Sequence, residues 1–476
     1  MLRPSTARLA RLAYLARPVC IAPLATLALL CLVGLAGCAA AGGSNSSYKG
    51  WSSYCLKNDL VNVQVVPEVG GRVMQVSLGG FEYFWVNPDL AGKPPTPTGL
   101  DKDGGWLNYG GSKLWPAPQG WGRDDLWPGP PDAVLDGQPH AARWAGPAGL
   151  ELTSRPCPRS GIQFIRTVSV DPSAARVTTA CRMRNTDTKP RRWGIWQNSQ
   201  LNAASRAGAG YSRDLHVYIP VNPRSVHPGG FSVLFGAKDN PQFQADRKAG
   251  LMHVHFDYKV GKIAMDSSAG WYAFVDAGEG YAFVETFAFE AGKPYPDNAS
   301  VEVWTQGLGS IIAWGKEVPM KDDRASNPYL VETEVLGPFA ALPPGQEAAF
   351  TAQWSLCRVG KGWKAVDCTP AGLICQRLQA RREEPAGPAA LPGAIRLSGQ
   401  FGVFARGRLE IDFLDAHGRP AGKPVTLARA VTPLEPVDLS VLVKAPIQGP
   451  PQAAAVCLTL VDEAGQVLGD LGSADL

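Results

Sequence analysis

The sequence predicts an all-β protein in which a large antiparallel β-sandwich is followed by a small C-terminal β-sandwich. Short segments with apolar residues at every second position recur along the 476 residues, and each is closed by Gly, Pro, Asn or Asp. No amphipathic helix of about twelve residues or more interrupts them, which argues against βαβ units and a parallel sheet. The 53 glycines and 41 prolines suit a fold with many turns.

The first 37 residues predict a lipoprotein signal peptide. Four arginines and no acidic residue accompany an apolar run from about Val19 to Leu35, and the run ends at LAGC, residues 35–38. This ending resembles the lipobox of bacterial lipoproteins, which implies cleavage before Cys38 and lipidation of its thiol. Ala39 in the next position implies an outer-membrane anchor facing the periplasm. An ordinary secretory signal and an uncleaved membrane helix are the alternatives.

The positive net charge comes entirely from this leader. The chain has 46 basic and 42 acidic residues, so removal of the four leader arginines leaves 42 of each. A neutral mature chain has no electrostatic signature of nucleic-acid binding, and we predict no nucleic-acid partner. Contact with the membrane is expected through the lipid anchor, with residues 38–50 as a tether of small and polar side chains.

Residues 51–375 are predicted to form the large sandwich. The strand-bearing segments are 60–80, 161–171, 175–187, 271–289, 300–306 and 347–356. Residues 376–393 are charged and then rich in Pro, Ala and Gly, which predicts a linker. Residues 394–476 carry four more alternating segments, 395–404, 407–420, 437–446 and 454–469, and predict the small sandwich, to which no protein partner is assigned.

Cysteine and histidine spacing gives no support for a metal or a cofactor. Seven cysteines follow Cys38, and an oxidising compartment would permit disulfides, between Cys157 and Cys181 or among the three at 357, 368 and 375. No CxxC spacing is present. His253 and His255 share one strand face, but no third ligand is indicated. We therefore predict no metal site and no cofactor.

An aromatic segment, residues 104–137, is the first candidate for a binding surface. It contains four tryptophans among many glycines and is too interrupted to be read as a strand. Indole faces stack on the CH-rich face of a pyranose, and neighbouring polar groups accept or donate to its hydroxyls. The alternative is that these tryptophans plug the edge of the core. The predicted sugar contacts in this segment are Asn108, Lys113, Trp115, Gln119 and Trp121.

Two further segments carry polar side chains in strand-like surroundings. Residues 191–201 end in four consecutive amide or hydroxyl side chains, of which Gln197 and Ser199 share one face and Asn198 and Gln200 the other, so at most half can enter one site. In the segment 328–345, Glu332 and Glu334 lie two residues apart and share a face. Two carboxylates are unusual on a dry core face, so these face either a polar cleft, which we favour, or solvent.

Several motifs together resemble a bacterial family of unknown function within the galactose mutarotase-like superfamily. The resemblance spans most of residues 58–355 and rests on NDLVNVQVVPEVGGRV (58–73), YGGSKLWPAPQ (109–119), WPGPPDAVLDG (127–137), GKIAMDSSAGWYAF (261–274), KPYPD (293–297) and VETEVLGPFAALPPG (331–345). It implies an antiparallel β-supersandwich that binds a carbohydrate on the concave face of one sheet.

The resemblance also implies candidate catalytic residues. Aldose 1-epimerases of this superfamily use a glutamate as base on the anomeric hydroxyl and a histidine as acid on the ring oxygen. Glu332 in VETE occupies the position of that glutamate. The stretch WQNSQ, where the histidine is expected, has none, so His140 or a water held by Gln197 is the replacement acid considered. Arg72 follows paired glycines and is either a substrate contact or a salt-bridged strand end.

Three functions follow from these patterns. The favoured one is a cell-envelope lipoprotein whose large domain binds a carbohydrate ligand, with catalysis left open. The second is a sugar mutarotase or epimerase with Glu332 as base. The third is a structural envelope lipoprotein whose β-domains contact other proteins and whose ancestral sugar cleft is filled by Trp115 or Trp121.

Overall fold

The computed structural model describes residues 41–313, 315–383 and 393–476. The leader with Cys38 and half of the predicted linker lie outside these described residues. Within them, no helix has the length and apolar character needed to cross a membrane.

Thirty-three strands account for most of the regular structure in the described residues. In the first part of the chain they are β1 (Gly42–Tyr48), β2 (Trp51–Lys57), β3 (Val61–Val66), β4 (Arg72–Leu78), β5 (Phe81–Glu82), β6 (Ser112–Ala117), β7 (Ala141–Trp144), β8 (Gly149–Thr153), β9 (Ile162–Val170), β10 (Arg176–Asn185), β11 (Arg191–Asn202), β12 (Leu215–Pro220), β13 (Ser232–Gly236), β14 (Phe243–Asp246), β15 (Leu251–His255), β16 (Gly261–Met265), β17 (Trp271–Asp276), β18 (Tyr281–Phe287), β19 (Val301–Thr305), β20 (Gly309–Ala313), β21 (Lys316–Met320), β22 (Leu330–Leu336), β23 (Ala340–Leu342) and β24 (Glu347–Arg358). The remainder are β25 (Asp367–Thr369), β26 (Gly372–Arg382), β27 (Ala394–Val403), β28 (Gly407–Leu414), β29 (Val425–Val431), β30 (Val437–Asp438), β31 (Ile447–Gln448), β32 (Ala455–Val461) and β33 (Val467–Asp475). Helical structure in the described residues consists of a π-turn at Ala133–Gly137, 3₁₀ turns at Pro228–Gly230 and Pro296–Asn298, and α1 at Leu439–Leu442.

Two large antiparallel sheets form the main sandwich. The twelve-stranded sheet runs β1-β2-β3-β4-β6-β11-β22-β19-β16-β13, with β5 on β4 and β23 on β11. The ten-stranded sheet runs β14-β15-β12-β17-β18-β24-β10-β9-β8-β7. The hairpin β20-β21 forms a separate two-stranded sheet.

The main core lies between these sheets, because alternate side chains along their strands point inward and most of these are apolar. In β3, Val61, Val63 and Val65 are fully buried while the residues between them are only half-buried. From the other sheet, Trp354 packs against Phe84 with ring centroids 5.4 Å apart. Each such aliphatic or aromatic side chain contributes roughly 1.5–3 kcal/mol through burial.

The C-terminal strands form a smaller sandwich. A five-stranded sheet, β25-β26-β27-β30 with β31 on β27, faces a four-stranded sheet, β29-β28-β32-β33. Its core begins earlier than the sequence predicts, since β26 continues through residue 382 into the expected linker. A shared apolar cluster that includes Trp271, Cys375 and Phe404 joins this module to the ten-stranded sheet. The predicted division into domains at 376–393 stays a prediction.

The predicted fold class is confirmed: the chain is almost entirely antiparallel β-structure, with a large sandwich and further sheets. Three local predictions are wrong. Residues 42–48 of the expected tether pair with β2 as an edge strand. Residues 112–117 of the aromatic segment form β6 inside the large sheet. The expected strand at 437–446 contains helix α1, because Asp438 caps it by accepting a hydrogen bond from the backbone N–H of Ser440.

The seven described cysteines, at positions 55, 157, 181, 357, 368, 375 and 457, are all free thiols. The disulfides that the sequence would permit are therefore not formed in the structure. Cys181 pairs in register with Arg166, whereas Cys157 bridges to Ile162, so the two thiols that were expected to face each other do not oppose one another in one strand pair.

Candidate functional site

Strand register gathers charged and amide side chains on the outer face of the twelve-stranded sheet. Asn198 lies opposite Lys113 on one side and Glu334 on the other, and Glu334 in turn lies opposite Glu302. The next row places Glu332 between Gln200 and Trp304, with Lys262 opposite that indole. Because side chains two residues apart share a face, both rows point to the same side of the sheet.

A cleft of about 590 Å³ opens above these rows. Its walls are mainly apolar, and six of the lining residues are tryptophans: Trp85, Trp106, Trp115, Trp121, Trp196 and Trp304. The polar side chains that line it are Asn87, Asp89, Asn108, Gln119, Lys262, Gln306, Ser326, Glu332 and Glu334. A concave aromatic site with a few placed polar groups is the usual form of a small-molecule binding site.

Asp136 fixes the tryptophans at one end of the cleft. Its carboxylate accepts hydrogen bonds from the indole N–H of Trp106 at 2.5 Å and of Trp115 at 3.1 Å. Nη2 of Arg72 lies 2.8 Å from Oδ1 of Asp136 and compensates the charge of the carboxylate, and both partners of this ion pair are buried. Trp115 also packs edge-on against Trp196, with centroids 5.3 Å apart. The indoles are therefore held by directional contacts as well as by packing.

Two amide side chains hold the carboxylate of Glu332 at the floor of the cleft. Asn198 donates from Nδ2 to Oε2 of Glu332 at 2.8 Å, and Gln200 donates from Nε2 to Oε1. The remaining amide oxygens, Asn198 Oδ1 and Gln200 Oε1, are buried and have no hydrogen-bond partner within the described chain. Glu332 itself is half-buried, so its carboxylate is oriented and still reachable.

Lys113 lies beneath the aromatic wall beside Glu332. Its ammonium group is 4.7 Å from the ring centroid of Trp115 and 5.5 Å from that of Trp106. Its Nζ is buried and has no hydrogen-bond partner among the described residues. Burial lowers the pKa of Lys113 to about 8, and the nearby charge of Glu332 opposes this shift.

Lys262 closes the other end of the floor as part of a buried ion cluster. Its Nζ lies 2.6 Å from Glu302 and 2.9 Å from Glu334. Burial lowers the pKa of Lys262, but the two carboxylates outweigh this and raise it overall. Burial raises the pKa of Glu334, with Lys262 opposing and Glu302 adding to the rise. Trp196 donates its indole N–H to Glu334 at 2.9 Å and ties the cluster to the aromatic wall.

The sequence of this sandwich matches one family model. Residues 53–357 fit the model described as "Domain of unknown function (DUF4380)". The chain belongs to the DUF4380 family. No curated protein matches the sequence of this chain.

Solved structures similar to the DUF4380 chain share little sequence with it. A TPR-domain containing protein from Parabacteroides distasonis aligns with a TM-score of 0.42 and 13% identity over 73% of this chain; the alignment spans 51% of that protein, about half its length. A galactose mutarotase-like protein from Lactobacillus casei aligns with a TM-score of 0.42 and 10% identity, covering 64% of this chain and 99% of the other. A galactose mutarotase-like protein from Clostridium acetobutylicum aligns with a TM-score of 0.40 and 9% identity, covering 67% and 99%.

Most of the residues singled out from sequence meet at the cleft of the DUF4380 domain. Six of them line it: Asn108, Trp115, Gln119, Trp121, Glu332 and Glu334. Lys113 lies directly beneath. Of the alternatives left open for Arg72, the structure selects the buried ion pair with Asp136. Cys38 lies outside the described residues.

Two further predicted site residues also lie away from the cleft. His140 lies in a separate surface depression beside Glu68 and Tyr54. Burial lowers its pKa to about 4, which leaves the ring neutral at physiological pH and unsuited to act as an acid there. Gln197 points to the opposite face of the sheet, because the alternation along β11 that brings Asn198 and Gln200 to the cleft sends Gln197 into the space between the sheets.

Gln197 belongs to a buried polar network behind the site. It donates to Glu285 at 2.5 Å and accepts from Thr179 at 2.9 Å. The hydroxyl of Tyr272 also donates to Glu285 and lies 2.7 Å from that of Thr333 on β22. The network joins strands of both sheets immediately under Glu332 and Glu334. Burial raises the pKa of Glu285 to about 7, although these hydrogen bonds lower it.

The raised pKa of Glu285 predicts a pH-dependent effect of Glu285→Gln. Because the folded pKa of about 7 lies above the ordinary 4.5, the stability contribution of Glu285 is full below about pH 4.5 and is lost as pH rises through 7. We expect the glutamine variant to match the unchanged protein at pH 5 and to exceed its free energy of unfolding by about 1–3 kcal/mol at pH 8. Urea unfolding at both pH values measures this, and an equal difference at the two would contradict it.

Sequence reasoning missed Lys262, Glu302 and the tryptophans at 85, 196 and 304. The period of two in residues 300–306 places Glu302 and Trp304 on one face of a strand, and this spacing could have marked both as candidate site residues. Lys262 gives no such signal, since it lies in a short apolar strand.

His216 lies beside His253 with 2.9 Å between ring nitrogens, yet no group of three or more His, Cys, Asp or Glu in the described ranges is arranged to hold a metal ion.

Proposed function

We propose that the protein is a lipid-anchored cell-envelope protein, facing the periplasm from the outer membrane, that binds a carbohydrate in the tryptophan-lined cleft. The envelope part of the proposal rests on the leader and LAGC, and detection of a lipidated Cys38 by mass spectrometry tests it. The binding part rests on the cleft and on the resemblance of the sequence to the galactose mutarotase-like superfamily.

One observation carries the binding proposal: six indoles line one cleft together with the half-buried carboxylate of Glu332 and the amide side chains of Asn87, Asn108, Gln119 and Gln306. The carboxylate can only accept hydrogen bonds, whereas the amides both donate and accept them. A few polar groups of both kinds among aromatic walls suit a ligand that has hydroxyl groups and an apolar face. Sugar hydroxyls donate and accept, and the CH face of a pyranose stacks on indole.

The open volume argues against a purely structural role. A filled ancestral cleft would have placed Trp115 or Trp121 across the floor. Both instead line a cavity of about 590 Å³, with Glu332 at its base. A cavity of this size suits a mono- or disaccharide rather than a flat protein surface.

Calorimetry and saturation-transfer NMR with a panel of neutral mono- and oligosaccharides test the proposal. Trp304→Ala, which removes one wall, should weaken the binding of any hit by about tenfold. Trp144→Ala is the matched control, because this indole is 40% exposed on β7 and does not line the cleft. Failure of the whole panel to bind, or equal weakening by both variants, would contradict carbohydrate binding in this cleft.

A second candidate function is sugar epimerisation with Glu332 as base. The placement of its carboxylate by two amide donors favours this, since a base must be oriented toward the proton that it removes. His140 lies outside the cleft and Gln197 lies on the opposite face of the sheet, so neither supplies the acid of such a mechanism. Polarimetry on fresh α-glucose and α-galactose detects the activity, and it must be lost in Glu332→Gln if the assignment is correct.

A further inference from the structure

The cleft has an excess of negative charge. The charged residues that line it are Asp89, Glu332, Glu334 and Lys262, and Glu302 and Lys113 lie directly behind. Four carboxylates therefore face two lysines. The balance stays negative even when Glu334 carries a proton, as its raised pKa allows.

Neither lysine offers a free positive charge to a ligand. Lys262 is held between Glu302 at 2.6 Å and Glu334 at 2.9 Å, and its side chain is only 5% exposed. Lys113 is 1% exposed and is covered by the rings of Trp106 and Trp115. Among the described residues, the charged side chains that a ligand in the cleft can reach are therefore the half-buried Glu332 and the exposed Asp89, both of them carboxylates.

We propose that the sugar bound here carries a cationic amine, which pairs with Glu332. This inference rests on the proposed carbohydrate-binding function and names the ligand class within it. Glu332 accepts one hydrogen bond at each oxygen, from Asn198 and Gln200, and a carboxylate has about four acceptor positions in all. An ammonium group, with three donors, can occupy the positions that face the cleft.

The aromatic walls favour the same ligand. Trp304 lies directly opposite Glu332 in the strand register, and both line the cleft, so a cation bound to the carboxylate also lies close to an indole. The negative face of an indole attracts ammonium groups, most strongly where water is excluded. An acidic sugar would bring its own carboxylate beside Glu332 and Glu334, and like charges at this distance repel.

Matched sugars separate this inference from the proposed function. Titration calorimetry compares glucose, galactose and mannose with the corresponding 2-amino-2-deoxy sugars, with their N-acetylated forms and with glucuronate. We expect the amine to bind about tenfold more tightly than its neutral counterpart, as for a charge-assisted contact, and glucuronate to bind most weakly. Neutral or N-acetylated sugars that bind as tightly as the amine would overturn the inference and leave carbohydrate binding intact. Absence of binding by every sugar would overturn both.

Variants of single carboxylates locate the contact. In Glu332→Gln the ratio of amine to neutral-sugar affinity should fall to near one, whatever happens to either affinity alone. Glu463→Gln makes the same chemical exchange on the exposed surface of the C-terminal module and should leave the ratio unchanged. A ratio that survives Glu332→Gln would refute the assignment of the amine to this carboxylate.

Discussion

Replacement of Asp136 by alanine is expected to lower the free energy of unfolding by about 3–5 kcal/mol, the range for breaking a buried ion pair from one side. The variant leaves the guanidinium of Arg72 buried without a counter-charge, since Arg72 is 0% exposed. It also leaves the indole N–H groups of Trp106 and Trp115 without their acceptor. Urea unfolding followed by far-UV circular dichroism measures the loss.

Two companion variants identify the cause of that loss. Asp136→Asn keeps an acceptor for the indoles but removes the charge, so it should lie between the unchanged protein and the alanine variant. The double variant Arg72→Met with Asp136→Leu removes the unpaired charge and should recover a large part of the stability. If Asp136→Ala lowers the free energy of unfolding by less than about 1 kcal/mol, the ion pair between Arg72 and Asp136 does not stabilise the aromatic wall as its burial indicates.

The substitution Lys262→Met is expected to destabilise the fold by a similar amount, about 3–5 kcal/mol at pH 8. It removes the cation that lies between Glu302 and Glu334 and leaves two buried carboxylates on neighbouring strands. Like charges in a site of low dielectric repel strongly, and here they would also lack solvation.

The loss of folding stability in Lys262→Met should be larger at high pH than at low pH. Without Lys262, which opposes the rise in the pKa of Glu334, burial raises that pKa further above its ordinary value. A group with a raised folded pKa contributes its stability below the unfolded pKa and loses it as pH rises through the folded value. The variant should therefore recover stability between pH 8 and pH 5. The triple variant Lys262→Met, Glu302→Gln, Glu334→Gln serves as the control and should show little pH dependence; a loss in Lys262→Met that is independent of pH would count against the charge explanation.

The sequence predicts the sandwich and one wall of the site because both depend on local spacing. Glu332 and Glu334 lie on one strand face because they are two residues apart, and the structure places both in the cleft. The same rule divides β11 into two faces, but spacing alone cannot say which face is outside. The outer face is determined by packing against the ten-stranded sheet. Gln197 donates a hydrogen bond to Glu285 on β18, so its side of β11 lies between the sheets.

The parts that could not be predicted depend on which strands become neighbours. Lys262, Glu302 and Glu334 are far apart in the chain, and they meet only because β16, β19 and β22 pair in one register. Asp136 likewise reaches Arg72 and two indoles from a π-turn that carries no periodic signal. The aromatic segment did not read as a strand, yet β6 fits between β4 and β11 because its neighbours bury all six of its residues.

The concentration of indoles at the cleft gives the molecule a built-in optical reporter. Of the thirteen tryptophans among the described residues, six line this one cavity, while others, such as Trp193 and Trp354, are buried in the core. Emission from an indole responds to the polarity and quenching groups around it. A molecule that displaces water from the cleft therefore changes the fluorescence of the protein without any label, and the dose dependence of that change reads out occupancy directly.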